Sequence, residues 1–447
     1  MREKWQKQMP LMYPVRDHEQ SKELEAISRI IDAHPTMCER VLQDLSSGKS
    51  ESHRKGANGM SADQVLRCAI VKDIFGFSYE DLAFHLVDSQ TLSWFCRIGI
   101  GDKGFQKSAL NQNIKAISED TWQGINADIL GYAKEKKIET GRKVRIDCTC
   151  VETDIHAPTD SSLLWDCVRV LSRLMERCRE KGVKIPGFQN HTRVAKRRML
   201  AVQNAKNSGQ RKSAYKDLLK IAGNVVEYAH VVDASASLDP IVMALCYQIR
   251  HYAQLAEKVM HQTHCRVMRG EKVEARDKVV SIFEPHTDII VKDRRDTLYG
   301  HKICLAGGAS NLILDCWIVE GNPADTDLAA PMLDRLKKIY NRYPLKVCFD
   351  GGFASKKNLA QAKSRTIKDV CFAKKRGLDE ADMCRSQYVY RQLRRFRAGI
   401  ESGISWLKRS LGLTRCTWKG WTSFKAYVWS SIVSANFLTV VRAKSPG

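Results

Sequence analysis

Apolar residues recur at Phe396, Ile400, Ile404, Leu407 and Leu411 in the stretch RFRAGIESGISWLKRSLGL, in steps of four, four, three and four. That period predicts an amphipathic helix. Its polar side carries a single acid, Glu401, among arginines and lysines. Gly399 and Gly403 flank the acid, and each costs a helix about 1 kcal/mol relative to alanine. Either close packing or the close approach of another molecule must compensate.

The same reading carried along the chain predicts a mixed α/β fold. Residues 44–62 are polar, basic and Gly/Ser-rich, the composition of a linker. Ser61 can cap a helix bearing Leu66, Ile70 and Ile74. Ser78-x-x-Asp81 has the form of a capping box, and Ser118 can open a longer helix over about 119–137. Short helices with tight joints suit a helix-turn-helix module, and equally any small helical domain. From Val144 the period changes to two: VRIDCTCVETDI puts Asp147, Thr149 and Val151 on one face of a strand, with Glu152 and Asp154 on the other. A basic, mostly helical stretch follows over 161–280. Strands return at DIIVK, and HKICLAG and LILDCWIVEG flank the turn GASN as a hairpin. Asp325 or Thr326 opens a helix bearing Leu328, Met332, Leu336 and Ile339. LKVCFD and DVCFAK then read as buried strands. Strand–helix–strand alternation calls for parallel pairing within a mixed sheet flanked by helices. AYVWSSIVSANFLTVV is short for a membrane span and dotted with Ser and Asn, so a buried C-terminal helix and no membrane association are expected.

Charge narrows the partners. The 447 residues carry 73 Lys+Arg against 50 Asp+Glu, a net +23, which points to a polyanion. The 15 cysteines form no CxxC pair, and His261, His264 and Cys265 lack the second ligand pair of a zinc finger. Reduced thiols and an N-terminus without an apolar signal region fit a cytoplasmic, nucleoid-associated protein.

Three acids stand out: Asp147 in an apolar strand, Asp350 at the carboxyl end of a strand before Gly351-Gly352, and Glu401 on the amphipathic helix. Catalytic groups in such sheets gather at strand carboxyl ends. Carboxylates converging there repel one another unless they share a cation, and hard divalent ions take oxygen ligands. Blander roles exist for each residue. Asp350 can belong to an ordinary turn, Glu401 can pair with Arg397 one turn back, and Arg397 and Lys408 can be a solvated face or phosphate contacts. Trp406, Trp418, Trp421 and Trp429 suit packing. His156, His286 and His301 suit structural hydrogen bonds.

The segments IDCTCVETDIHAPTDSSLLWD, FEPHTDIIVK, CFDGGFAS and RFRAGIESGISWLKRSLGL together resemble the DDE transposases of bacterial insertion sequences, over about residues 62–440. The resemblance implies a ribonuclease H-like catalytic domain at 141–160 and 281–415, interrupted by a basic helical insertion at 161–280. It also implies a helical DNA-binding or dimerisation domain at 62–140. Composition and pattern set off an N-terminal helical segment and linker at 1–61 and a helical C-terminal segment at 416–447. Carried over, Asp147, Asp350 and Glu401 are the metal-binding catalytic acids, holding two Mg²⁺ ions for which Mn²⁺ can substitute. Arg397, Glu401 and Lys408 match the family's Tyr-x2-Arg-x3-Glu-x6-Lys pattern, whereas Arg394 stands in place of its Tyr, with Tyr388 and Tyr390 out of phase. Arg394, Arg397, Lys408, Arg409, Arg197 and Arg198 are then the expected DNA contacts. The implied partners are double-stranded terminal inverted repeats, target DNA and a second copy of the chain. A non-catalytic DNA-binding repressor and a ribonuclease H-like structure-specific nuclease remain the alternatives at this stage.

Overall fold

The computed structural model describes residues 18–47, 59–99, 101–232, 239–292 and 296–444. The first 17 residues and most of the expected linker lie outside them. The described residues open with seven helices: α1 (Glu19–Asp32), α2 (Thr36–Ser46), α3 (Ala62–Phe75), α4 (Tyr79–Asp88), α5 (Gln90–Phe95), α6 (Lys107–Ala116) and α7 (Glu119–Glu135). Their starts are written in the capping residues. Ser61 and Gln64 form a reciprocal capping box at α3, Ser78 and Asp81 form another at α4, and Ser118 caps α7.

β1 (Lys143–Glu152) follows, then four helices: α8 (Asp160–Glu180), α9 (Thr192–Gln203), α10 (Ser208–Val231) and α11 (Pro240–Thr263). The chain returns through β2 (Asp288–Lys292), β3 (Asp296–Gly307), β4 (Ile313–Val319), α12 (Asp325–Tyr340), β5 (Lys346–Phe349), α13 (Lys356–Ser364) and β6 (Asp369–Phe372). It ends with α14 (Glu380–Met383), α15 (Gln387–Ser410) and α16 (Trp421–Lys444).

The sheet is mixed, as the alternation of elements predicts. β1 pairs antiparallel with β3, and β3 pairs antiparallel with β4 in the expected hairpin. On the other side of β1, β5 and β6 run parallel to it. β2 pairs with the first half of β3, beyond the reach of β4. The result is an antiparallel half and a parallel half that meet at β1.

The buried side chains of the described residues fall into two hydrophobic clusters. Buried residues of α8 to α11 form their own hydrophobic cluster, so the excursion after β1 has a separate core. The N-terminal helices do not. Their buried side chains belong to one cluster with the sheet, α15 and α16. The reason lies in α16, which is apolar nearly all round and must be covered on every side. It packs on α7, α3, α1 and β4. Among the described residues Trp421–Ala443 is long and apolar enough to cross a membrane, but it is mostly buried inside the protein. Trp418 and Trp429 are buried, and Trp406 and Trp421 pack against the same cluster.

Candidate active site

Parallel pairing brings the first two acids level. Ile146 of β1 lies opposite Phe349 of β5, so the next residues along, Asp147 and Asp350, are neighbours. The Asp350 amide donates to the Ile146 carbonyl at 3.3 Å. Asp350 also begins the 3₁₀ turn Gly351–Phe353, and both glycines are required by close approach. A Cβ on Gly351 would lie 2.8 Å from the Lys374 side chain, and one on Gly352 2.5 Å from Asp325 Oδ2. Asp325 itself accepts from Lys302 Nζ at 2.9 Å.

The third acid comes from α15, which lies across β1, β5 and β6. Its placement depends on Arg145, two residues before Asp147 and buried despite its charge. The Arg145 guanidinium donates from Nη1 to the Phe396 carbonyl at 3.0 Å and from Nη2 to Asn311 Oδ1, and it stacks 4.7 Å over the Phe396 ring. Gly399 leaves the room it needs, since a Cβ there would overlap Nη1. One of the two helix glycines is therefore explained by packing inside the molecule. Gly403 is not: nothing lies within 4 Å of the position its Cβ would take.

All three carboxylates face one guanidinium. Arg397 Nη2 is 3.1 Å from Asp350 Oδ1, 4.0 Å from Asp147 Oδ2 and in contact with Glu401 Oε1. The expected i−4 pair of Arg397 and Glu401 thus exists, but as one edge of a four-residue cluster. Exposure grades across it: the side chain of Asp147 is 14% exposed and that of Glu401 59%. Burial pushes the Asp147 carboxyl up to about 6 and the Asp350 charge adds to this, while the Cys148 amide and Arg397 pull it down. One positive charge among three carboxylates leaves the cluster short of cation. Among the described residues no group of three or more His, Cys, Asp or Glu side chains is drawn together closely enough to hold a metal ion; here the guanidinium stands between them.

The other expected residues lie elsewhere. Arg394 and Arg409 are exposed on α15, with Lys408 half-buried beside them. Arg197 is exposed on α9, and Arg198 Nε is 3.3 Å from Asp217 Oδ2. Tyr390 is buried and donates to the Phe372 carbonyl at 3.3 Å. His286 and His301 form a hydrogen-bonded chain between Glu284 and Asp288, and His156 lies 3.6 Å from Asp166. Arg145 was not singled out from the sequence. An arginine inside the apolar run VRIDC was the available signal, because buried arginines are almost always paired.

Two family models match the chain: a transposase DDE domain over residues 290–437 and a transposase domain, DUF772, over residues 14–116. Between them they take in more than half of it. The chain belongs to the DDE transposases of insertion sequences. No curated protein and no solved structure matches it. The DDE match includes Asp350 and Glu401 and begins after Asp147, on the far side of the helical excursion. The DDE domain implies a ribonuclease H-like fold and supports a nucleotidyl-transfer type of enzyme; the transposase family suggests DNA as a partner, and DDE transposases are generally dependent on divalent metal. The oxygen-only set of three carboxylates here, short of positive charge, has the chemistry a hard divalent ion requires.

Proposed function

We propose that this transposase binds the terminal inverted repeats of an insertion sequence, cleaves there, and joins the resulting 3′-hydroxyl ends to target DNA. The observation that carries this reading is the meeting of Asp147, Asp350 and Glu401, from two strands and a helix, around one guanidinium. Such a carboxylate cluster serves no purpose in a protein that only binds DNA, where it would repel phosphate.

In this reading Asp147, Asp350 and Glu401 hold two Mg²⁺ ions, or Mn²⁺ in their place. Metal held by these three carboxylates would supply electrostatic stabilisation to a phosphoryl displacement. The rest is positioning by the chain. β1 and β5 fix two acids side by side, and Arg145 fixes the helix that delivers the third. Arg394, Lys408 and Arg409 follow the helix beside the cluster as contacts for the DNA backbone, and Arg197 and Arg198 offer more on the helical excursion. Phosphate contacts of this kind set register and orientation. Two ends must be held together, so a second copy of the chain binds the other end.

Cleavage of labelled terminal-repeat DNA by wild type and Glu401→Gln, with Mg²⁺ and with EDTA, tests this. The expected result is metal-dependent cutting that Glu401→Gln abolishes while DNA binding persists. Equal cutting by both proteins would remove Glu401 from the site.

A further inference from the structure

We infer that Arg397 is a built-in cation that occupies the acid cluster until DNA withdraws it, so that metal and DNA load the site together. The inference rests on the metal-binding reading given above and adds a role for Arg397, which the sequence marks only as an expected DNA contact. Three observations carry it. A single guanidinium nitrogen of Arg397 reaches all three acids, at 3.1 Å from Asp350, 4.0 Å from Asp147 and in contact with Glu401. Its Nε is buried with no hydrogen-bond partner. Its side chain is 19% exposed, on a helix whose neighbouring Arg394 and Arg395 face solvent.

Arginine does not lose its proton in a protein, so its charge can leave the cluster only if the side chain moves. Divalent ions entering beside it would add like charge in the same small volume. Metal and Arg397 are therefore competitors for the same carboxylates. An unsatisfied buried donor makes the inward position a poor one for the guanidinium itself. A phosphate offers paired acceptors that match its fork. Moving Arg397 from acids to phosphate frees the carboxylates, and binding metal frees Arg397 for phosphate. Two ligands that each remove the other's competitor bind with positive, reciprocal coupling. Without DNA the transposase then holds metal weakly, which keeps its cleavage chemistry from operating on anything but bound DNA.

The test measures Mn²⁺ binding to the full chain from the loss of the free-ion electron paramagnetic resonance signal, without any cleavage assay. Arg397→Gln should bind Mn²⁺ about tenfold more tightly than wild type in the absence of DNA, a typical coupling. Arg397→Lys, which keeps the charge, should stay near wild type. A short DNA duplex should tighten Mn²⁺ binding to wild type and leave Arg397→Gln unchanged. The inference is overturned if Arg397→Gln binds no more tightly than wild type, or if neither binds. Should Arg397→Gln fail to fold, the absence of any DNA effect on wild type overturns it equally. Adding Asp350→Asn or Glu401→Gln to Arg397→Gln should abolish the gain. A gain that survives them places the ion elsewhere, and then the carboxylate assignment fails rather than the competition alone.

Discussion

The two glycines of α15 look alike in sequence, yet their surroundings assign them opposite behaviour. Gly399 faces the Arg145 guanidinium, which is pinned by the Phe396 carbonyl and by Asn311 and has nowhere to retreat. Gly399→Ala should therefore destabilise the protein by roughly 1–3 kcal/mol, the range for overpacking a filled site. Gly403 faces open space, so Gly403→Ala should stabilise the helix by up to about 1 kcal/mol. Denaturant melts of the two variants check both signs. If DNA comes close at Gly403, that variant should also bind DNA more weakly although it is the more stable protein. This is a dissociation that no packing role produces.

At the scale of elements, the joint between α3 and α16 contains a buried acid. Asp73 accepts from the Ser430 hydroxyl and from Ser434 at 3.4 Å, with Lys72 Nζ 3.6 Å away. Burial pushes its carboxyl above the ordinary value, and the lysine and serines only partly offset that. The native state therefore holds this proton more tightly than the unfolded chain does. Its contribution to stability is full below the ordinary carboxylate pKa and is lost as pH rises through the raised value. Asp73→Asn can keep hydrogen bonds to the serines without that loss. Thermal melts should show Asn gaining on wild type as pH rises above the ordinary carboxylate range. An advantage that shrinks as pH rises would contradict the burial argument.

At the scale of the whole molecule, a net charge of +23 favours a polyanionic partner, and the proposed DNA binding should weaken with salt according to how many phosphates the cations contact. Individual cations should differ according to what they already touch. Arg197 and Arg394 are exposed, whereas Arg198 is paired with Asp217. Arg197→Ala and Arg394→Ala should each flatten the slope of log affinity against log salt by about one, and Arg198→Ala by less. Fluorescence anisotropy titrations over a salt series measure this. Equal slopes for all three variants would show that the Asp217 pair does not spend the Arg198 charge.

Much of this protein is local and so was legible in the residues. The cap at Ser61, the capping box at Ser78, the period-two strand around Asp147, the β3–β4 hairpin and the amphipathic helix around Glu401 depend on neighbours a few positions apart. Asp147 and Glu401 stood out for a similar reason, since a carboxylate in an apolar strand or between helix glycines contradicts its own surroundings, and Asp350 stood out by its place at a strand's carboxyl end before two glycines. The tertiary structure decided what depends on contacts between distant residues. It merged the N-terminal helices with α16 in one core, because a helix apolar nearly all round must be covered but its periodicity does not say by which elements. It buried Arg145 beneath α15, gave Gly399 its reason, and turned Arg397 inward among the acids. Periodicity places Arg397 on the polar stripe, but whether that stripe meets water or carboxylates is set by β1 and β5. Asp147 lies 250 residues before Arg397, and only the folded chain brings them within reach of one another.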